Sequence, residues 1–210
     1  MNINKISSQS EDFGDKYRKS LINNYFVNKY FSSVEKLIEK VNFSKSFNVL
    51  EVGCGEGHST NRLKKMFKHE IIFESSEYLN RQVIIAKKIN PDVKIIQENV
   101  YCLKRKNNFF NLIILLEVLE HLEEPNLAIE ELHRVTNDYI LVGVPNEPLW
   151  RIMNFLRGKY FFSLGNTPGH LNHWPSKKIV SFIESKGFEL IEIEKPIPWT
   201  IGLFKKVKND

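Results

Sequence analysis

The chain has 210 residues, one domain's worth at about 150 residues per domain, and its 42% hydrophobic content is enough for a sizeable core. Two cysteines, Cys54 and Cys102, exclude a disulfide-stapled secreted scaffold. Thirty basic against 25 acidic side chains leave a net charge of +5, scattered along the chain as on a solvated face. A dedicated nucleic-acid arm would concentrate it. The start, MNINKISSQSEDFGD, has no apolar signal stretch, and the longest aliphatic run, Leu112 to Leu116, falls far short of the roughly 20 residues a bilayer requires. The expected location is a reducing cytoplasm.

Residues 1–15 are polar and read as a flexible terminus, followed by one domain over 16–210. A helix is expected over 16–41, where Tyr25, Phe26, Tyr30, Phe31, Val34 and Leu37 recur at three- and four-residue spacing. Apolar runs at 47–52, 70–73, 93–96, 112–116 and 139–144 read as strands, with helices at 57–68, 77–89 and 125–135 and a loop-rich link at 99–110. Such alternation predicts βαβ units in an α/β, Rossmann-like, doubly wound sheet. After a helix at 176–186, two strands at 188–194 and 199–207 have only Lys195-Pro196-Ile197-Pro198 between them. They must pair antiparallel, which makes seven strands, mostly parallel, ending in a C-terminal hairpin.

The most informative stretch is Glu51-Val52-Gly53-Cys54-Gly55-Glu56-Gly57, between the first strand and its helix. Glycines there let the main chain turn sharply beside a ligand at the helix start. The third glycine comes one residue too early for the dinucleotide fingerprint G-x-G-x-x-G. The fourth strand ends in Leu116-Glu117-Val118-Leu119-Glu120-His121, and polar residues at a strand's carboxyl end are expected to line the ligand crevice.

Glu51-x-Gly53-x-Gly55-x-Gly57 resembles the first motif of class I S-adenosylmethionine-dependent methyltransferases, and the resemblance continues in register over about residues 45–195. It implies S-adenosylmethionine as cofactor. The glycine loop, with Glu51, would support its methionine part. Glu74, placed at the end of the second strand and followed by Ser75, would take both ribose hydroxyls. Asn99, within Gln97-Glu98-Asn99-Val100, falls where the family carries an Asp that meets the adenine amino group, with Glu98 as the alternative. Glu117 completes the cofactor wall.

The same resemblance implies methyl transfer, and a hydroxyl acceptor needs a base, for which His121 is the first candidate and His170 the second. A helix-capping role is the competing reading of His121. Small-RNA 2′-O-methyltransferases and ubiquinone-pathway O-methyltransferases resemble the chain in E-x-x-E-H and in a later His. That likeness implies Glu117, Glu120, His121 and His170 as an alternative divalent-metal set, less favoured than a metal-free site. Residues 147–175 form a long insertion in which Leu149, Ile152, Met153, Leu156 and Tyr160 make one helical stripe. It reads as a core-packing helix, a lid over the acceptor, or an interfacial helix with Arg151, Arg157 and Lys159 near lipid headgroups. The favoured function is methylation of a small-molecule hydroxyl, without a nucleic-acid partner. The alternatives are 2′-O-methylation of an RNA 3′ end and a non-catalytic cofactor-binding module. The sequence assigns no oligomeric state.

Overall fold

A computed structural model describes residues 21–208, so the expected flexible terminus and the first residues of the opening helix lie outside the described residues. In chain order the elements are α1 (Leu21–Ile38), β1 (Asn48–Val52), α2 (His58–Leu63), β2 (Ile72–Glu77), α3 (Asn80–Ile89), β3 (Lys94–Gln97) and β4 (Phe110–Leu116). Then follow α4 (Pro125–Val135), β5 (Thr136–Pro145), α5 (Leu149–Leu156), α6 (Ser176–Glu184), β6 (Phe188–Glu194) and β7 (Trp199–Lys206). The seven strands lie in the order β3-β2-β1-β4-β5-β7-β6. β1 to β5 are parallel, while β7 runs antiparallel between β5 and β6. The expected hairpin is therefore present, with β6 as the outer edge.

Side chains alternate across the sheet with period two. Leu50, Val52, Ile113, Leu115, Ile140 and Val142 face one core, closed by Ala128, Ile129 and Leu132 of α4 and Ile179 and Ile183 of α6. Val49, Leu112, Ile114 and Leu141 face the other, closed by Val34, Leu37 and Ile38 of α1 and Leu63 of α2. Burial on both faces explains the nearly unbroken apolar runs of β4 and β5. From β1 the chain winds outward to β2 and β3, then returns to β4 and β5 on the other side. The crevice at that reversal is where an open α/β sheet binds its ligand.

The second strand departs from the sequence reading. It spans Ile72–Glu77 instead of ending at Phe73. The polar run Glu74-Ser75-Ser76-Glu77 looks like a loop, but all four residues are buried, and the side chains of Glu74, Ser75 and Glu77 each meet a polar partner there. Ser75 pairs in register with Glu51 of β1 and donates a hydrogen bond to its Oε2 at 3.0 Å. Ser59 and Thr60, in the first turn of α2, donate to the two oxygens of the same carboxylate, each at 2.5 Å. Burial raises the Glu51 pKa, partly offset by these three hydroxyls.

Glu51 thus ties β1, β2 and the start of α2 together behind the glycine turn. Glu51→Ala leaves the buried Thr60 and Ser75 hydroxyls and the half-buried Ser59 hydroxyl without their acceptor and is expected to cost about 3 kcal/mol, since hydrogen bonds to a charged group contribute roughly 1.5–3 kcal/mol each. At roughly 2–4 °C per kcal/mol for a chain of this size, thermal unfolding should show a drop of about 6–12 °C.

Candidate functional site

A cavity of about 1020 Å³ opens at the carboxyl ends of the central strands. Its wall is built from Val52 to Glu56 after β1, Ser76 to Leu79 after β2, Glu98 and Val100 after β3, and Leu116 to Val118 after β4. Pockets for one drug-sized ligand occupy about 300–1,000 Å³, so this one has room for a cofactor and a second small molecule.

The glycines of the loop adopt left-handed backbone, with φ of +75°, +55° and +84° at Gly53, Gly55 and Gly57. At Gly57 an added Cβ would lie 2.5 Å from Asn90 Nδ2 and 3.0 Å from Ala86, so the residue is glycine for close packing against α3. Asn90 locks that approach by donating to the Gly57 carbonyl at 2.9 Å. A Cβ at Gly55 would meet nothing within 4 Å, which leaves bare backbone facing the cavity. Gly57 itself stays behind the wall. Glu51 does too, so its part is to hold the loop.

The strand-end carboxylate on the cavity is Glu77. Its Oε2 accepts the Gly55 N–H and its Oε1 the Leu79 N–H, each at 2.9 Å. Two backbone donors fix the carboxylate and leave each oxygen with a further lone pair. Glu74, the residue singled out from the sequence, comes three residues before the strand's end. It lies in mid-strand, bound to Arg105 Nη1 at 2.6 Å and Lys94 Nζ at 2.9 Å, and takes no part in the cavity wall. Ser75 is likewise behind the wall, committed to Glu51. Asn99 turns back on its own loop, where its Oδ1 accepts the Tyr101 N–H at 3.0 Å. Glu98 and Val100 flank it on the cavity, and Glu98 is ion-paired to Arg105 at 3.0 Å. Glu77 could have been found from its place directly before the Tyr78-Leu79 turn into α3, had the strand been extended through its polar residues.

At the other end, His121 and His170 meet edge to face, with ring centroids 4.9 Å apart, and both line the cavity. His121 Nδ1 lies 2.9 Å from the Gly169 carbonyl oxygen. A carbonyl only accepts, so Nδ1 carries the proton and Nε2 is the basic nitrogen. Burial lowers the His121 pKa below its usual 6.5, which keeps the ring neutral at neutral pH. His121 ends a short 3-10 turn, Leu119–His121, and its side chain serves the cavity.

Glu117 sits at φ +58° on the cavity wall, with Oε1 shielded from solvent and without a hydrogen-bond partner. Burial pushes its carboxyl up to about 8, offset in part by hydrogen bonding from the Trp199 indole N–H. Glu120 is buried behind it with both oxygens unpartnered, and burial together with the Glu117 charge holds its pKa well above the usual value. Ligand atoms of Glu120, His121 and His170 all lie within 4.8 Å of one another. Glu117 is not in that group, so three of the four residues in the implied metal set come together.

The insertion also departs from expectation. Asn154 is the buried residue of α5, donating to the Gly165 carbonyl at 3.0 Å and to Thr167 Oγ1 at 3.1 Å, whereas Ile152 and Leu156 of the apolar stripe are exposed. The stripe is therefore no core-packing face among the described residues. Trp150, from the same helix, lines the cavity and donates from Nε1 to Thr167 Oγ1 at 2.9 Å. Tyr30 and Trp199 complete this wall. Sequence reasoning treats them as helix-stripe and strand residues, and nothing in their spacing marks them for a cavity.

A family model described as a methyltransferase domain matches residues 22–193. The chain belongs to this family. The sheet order and C-terminal antiparallel pair are those of the class I S-adenosylmethionine-dependent methyltransferases, the class to which this methyltransferase belongs. Among curated proteins, the uncharacterized protein MJ0638 of Methanocaldococcus jannaschii is 27% identical over 132 residues, 60% of this chain. The match spans 55% of that relative's length. Among solved structures, a chain of the Haloferax volcanii complex between the Trm112 methyltransferase activator and a methyltransferase superposes with a TM-score of 0.69, at 9% identity over 89% of this chain and 93% of that one. Magnesium protoporphyrin IX methyltransferase from Synechocystis PCC 6803, solved with bound SAH, gives 0.66 at 16% identity, covering 89% and 88%.

Two variants separate Glu77 from Glu74. Glu77→Ala should weaken S-adenosylhomocysteine binding by about 2 kcal/mol, roughly thirtyfold, as measured by calorimetry. Glu74→Ala should leave affinity within about threefold and instead lower the melting temperature, because it removes one of the two carboxylates that hold the buried Arg105.

Proposed function

We propose that this methyltransferase methylates a hydroxyl oxygen of a small molecule, with His121 as general base. The reading is carried by one observation: a half-buried, neutral imidazole, oriented through Nδ1 by the Gly169 carbonyl, lines the same cavity as the glycine loop. Glu77 would hold the ribose hydroxyls, and the bare backbone at Gly55, beside Gly53 packed on Val118, would allow close approach of the methionine part. When bound, S-adenosylmethionine supplies an electrophilic methyl whose S–C bond breaks as the new O–C bond forms. The acceptor's hydroxyl proton passes to His121 Nε2 and from there to solvent. His170, stacked on Trp150 at 6.0 Å, braces the His121 ring from one side.

Residues 16–210 act in this reading as one methyltransferase domain, with 147–175 as the acceptor-side lid. Support comes from Trp150 and His170, which lie in the insertion and line the cavity. Exclusion of water by such a cover strengthens each polar interaction inside it. The exposed Ile152, Leu156 and Leu164, beside Arg151 and Arg157, leave room for peripheral contact with a lipid surface in a cytoplasmic setting. No helix among the described residues is long and apolar enough to cross a membrane.

A second reading adds a divalent cation held by Glu120, His121 and His170. It is favoured by the Glu120 oxygens, which are buried with no partner. Exhaustive chelation of the purified enzyme decides between them: unchanged activity is expected for the base mechanism, and loss restored by added divalent ion would establish the metal.

The pH profile tests the base. His121 works when deprotonated, so kcat should rise with pH up to an inflection below 6.5 and then level off. An inflection near 8 would move the essential titration to Glu117. His121→Ala should lower kcat by about 10²–10⁴-fold. Unchanged turnover would contradict the assignment, and cofactor binding with no turnover in the parent enzyme would favour the non-catalytic alternative.

A further inference from the structure

The turn that carries His121 does little to hold itself. Leu119–His121 is a three-residue 3-10 turn, in which the His121 N–H donates to the Val118 carbonyl at 3.0 Å and the Leu122 N–H to the Leu119 carbonyl at 3.3 Å. Hydrogen-bond geometry in such turns is poor, and they rarely run long. The carbonyls of this one are met by a distant segment of the chain. The Glu120 carbonyl accepts the Leu171 N–H at 2.7 Å and the Asn172 N–H at 3.0 Å. The Asn172 side chain then bridges the turn from end to end, its Nδ2 donating to the Leu122 carbonyl at 2.6 Å and the Leu119 carbonyl at 3.2 Å.

His121 lies between the two carbonyls that Asn172 bridges, and its ring is held by the same segment. The Gly169 carbonyl accepts from Nδ1 at 2.9 Å, and the His170 ring meets the His121 ring at 4.9 Å. Residues 169–172 therefore grip the proposed base by main chain and ring together. An amide suits this place, because one nitrogen with two N–H donors can serve two carbonyls at once. A carboxylate of the same shape would set a charged acceptor against them. Asn172 takes no part in the cavity wall, so its influence on the chemistry passes through the turn.

We infer that Asn172 is a positioning residue for methyl transfer: its side-chain amide fixes the turn that carries His121, and with it the place of Nε2 beside the acceptor hydroxyl. A general base has to stand within about 2.6–3.2 Å of the group it deprotonates. Misplacement by about 1 Å, caused by a change away from the chemistry, costs on the order of 10²-fold in rate. The backbone N–H groups of Leu171 and Asn172 tie the turn at one carbonyl, that of Glu120, and a single tie allows it to pivot. The Asn172 amide adds a tie on either side. The catalytic consequence rests on the reading of His121 as base; the hold on its ring does not.

Asn172→Ala removes both side-chain donors and keeps the Gly169 and Glu120 contacts. Heteronuclear NMR of the histidine-labelled whole chain, saturated with S-adenosylhomocysteine, reads the result at the ring, with the His121 signals assigned by their loss in His121→Ala. In the parent, Nδ1 should carry the proton and exchange it slowly. In Asn172→Ala that exchange should quicken by at least about tenfold, as the loss of two hydrogen bonds implies. Affinity for S-adenosylhomocysteine should stay within about threefold, since the glycine loop is untouched. Turnover, read with S-adenosylmethionine and the best methyl acceptor from a panel of small alcohols and phenols, should fall about 10–100-fold. In the His121→Ala background the same change should cost less than about threefold, because the group it positions is gone. A His121 ring signal unmoved by Asn172→Ala would overturn the proposal, as would an equal loss of turnover in both backgrounds. If alanine prevents folding, Asn172→Ser, which keeps one donor, should show the same split at smaller size, and its absence there counts equally against the proposal. Parent-like turnover of His121→Ala would sink the base reading and the catalytic role of Asn172 with it. A slow His121→Ala beside an Asn172→Ala at the parent's rate would sink the positioning role alone.

Discussion

The turn after β1 depends on a carboxylate that never reaches the cavity. Glu51 lies inside the sheet, where an unpaired charge would be prohibitive, and it survives there because Ser59, Thr60 and Ser75 converge on its two oxygens. Those contacts fix where α2 starts and where β2 sits relative to β1. The backbone of Gly53 to Gly57 is then held between two anchored elements, with its three glycines in conformations that residues with a Cβ rarely adopt. The N–H of Gly55 is aimed at Glu77, and Glu77 is thereby oriented on the cavity. One buried cluster of polar groups thus sets both the loop and the acid that faces it.

The opposite end of the cavity is built by another logic. Packing, more than hydrogen bonding, assembles it: α1, β7, α5 and the loop before α6 each contribute rings to a single wall. Polar groups there are few and fixed. Thr167 accepts from both Trp150 and Asn154, which ties α5 to the loop that carries His170. The Gly169 carbonyl from that same loop sets the His121 tautomer. Lid, second histidine and base therefore form one mechanical unit, so a disturbance of the insertion should be felt at His121.

Much of this was legible in the sequence, for reasons that can be named. Strands buried on both faces leave unbroken apolar runs, as in Leu112 to Leu116, and helices leave a 3.6-residue stripe, as in Val34 and Leu37. The glycine turn shows through its spacing alone. β2 was harder, because Glu74, Ser75 and Ser76 look like a loop unless their interior partners are known, and those partners are Arg105, Lys94 and Glu51, from 20 to more than 30 residues away. That single shift moves the strand-end acid from Glu74 to Glu77. The aromatic wall was illegible for a different reason. Tyr30, Trp150 and Trp199 are brought together by tertiary packing, and each is an ordinary apolar residue within its own segment.

The account stands on the division of one cavity between a cofactor end at Glu77 and the glycine loop and an acceptor end at His121 and the aromatic wall. A crystal structure with S-adenosylhomocysteine bound tests that division most directly. The account predicts both ribose hydroxyls on the Glu77 carboxylate, the homocysteine part against Gly53 and Gly55, and an open half-pocket bounded by Trp150, Trp199 and His121. Ribose hydroxyls on Glu74, or a ligand that fills the space beside the aromatic wall, would contradict it.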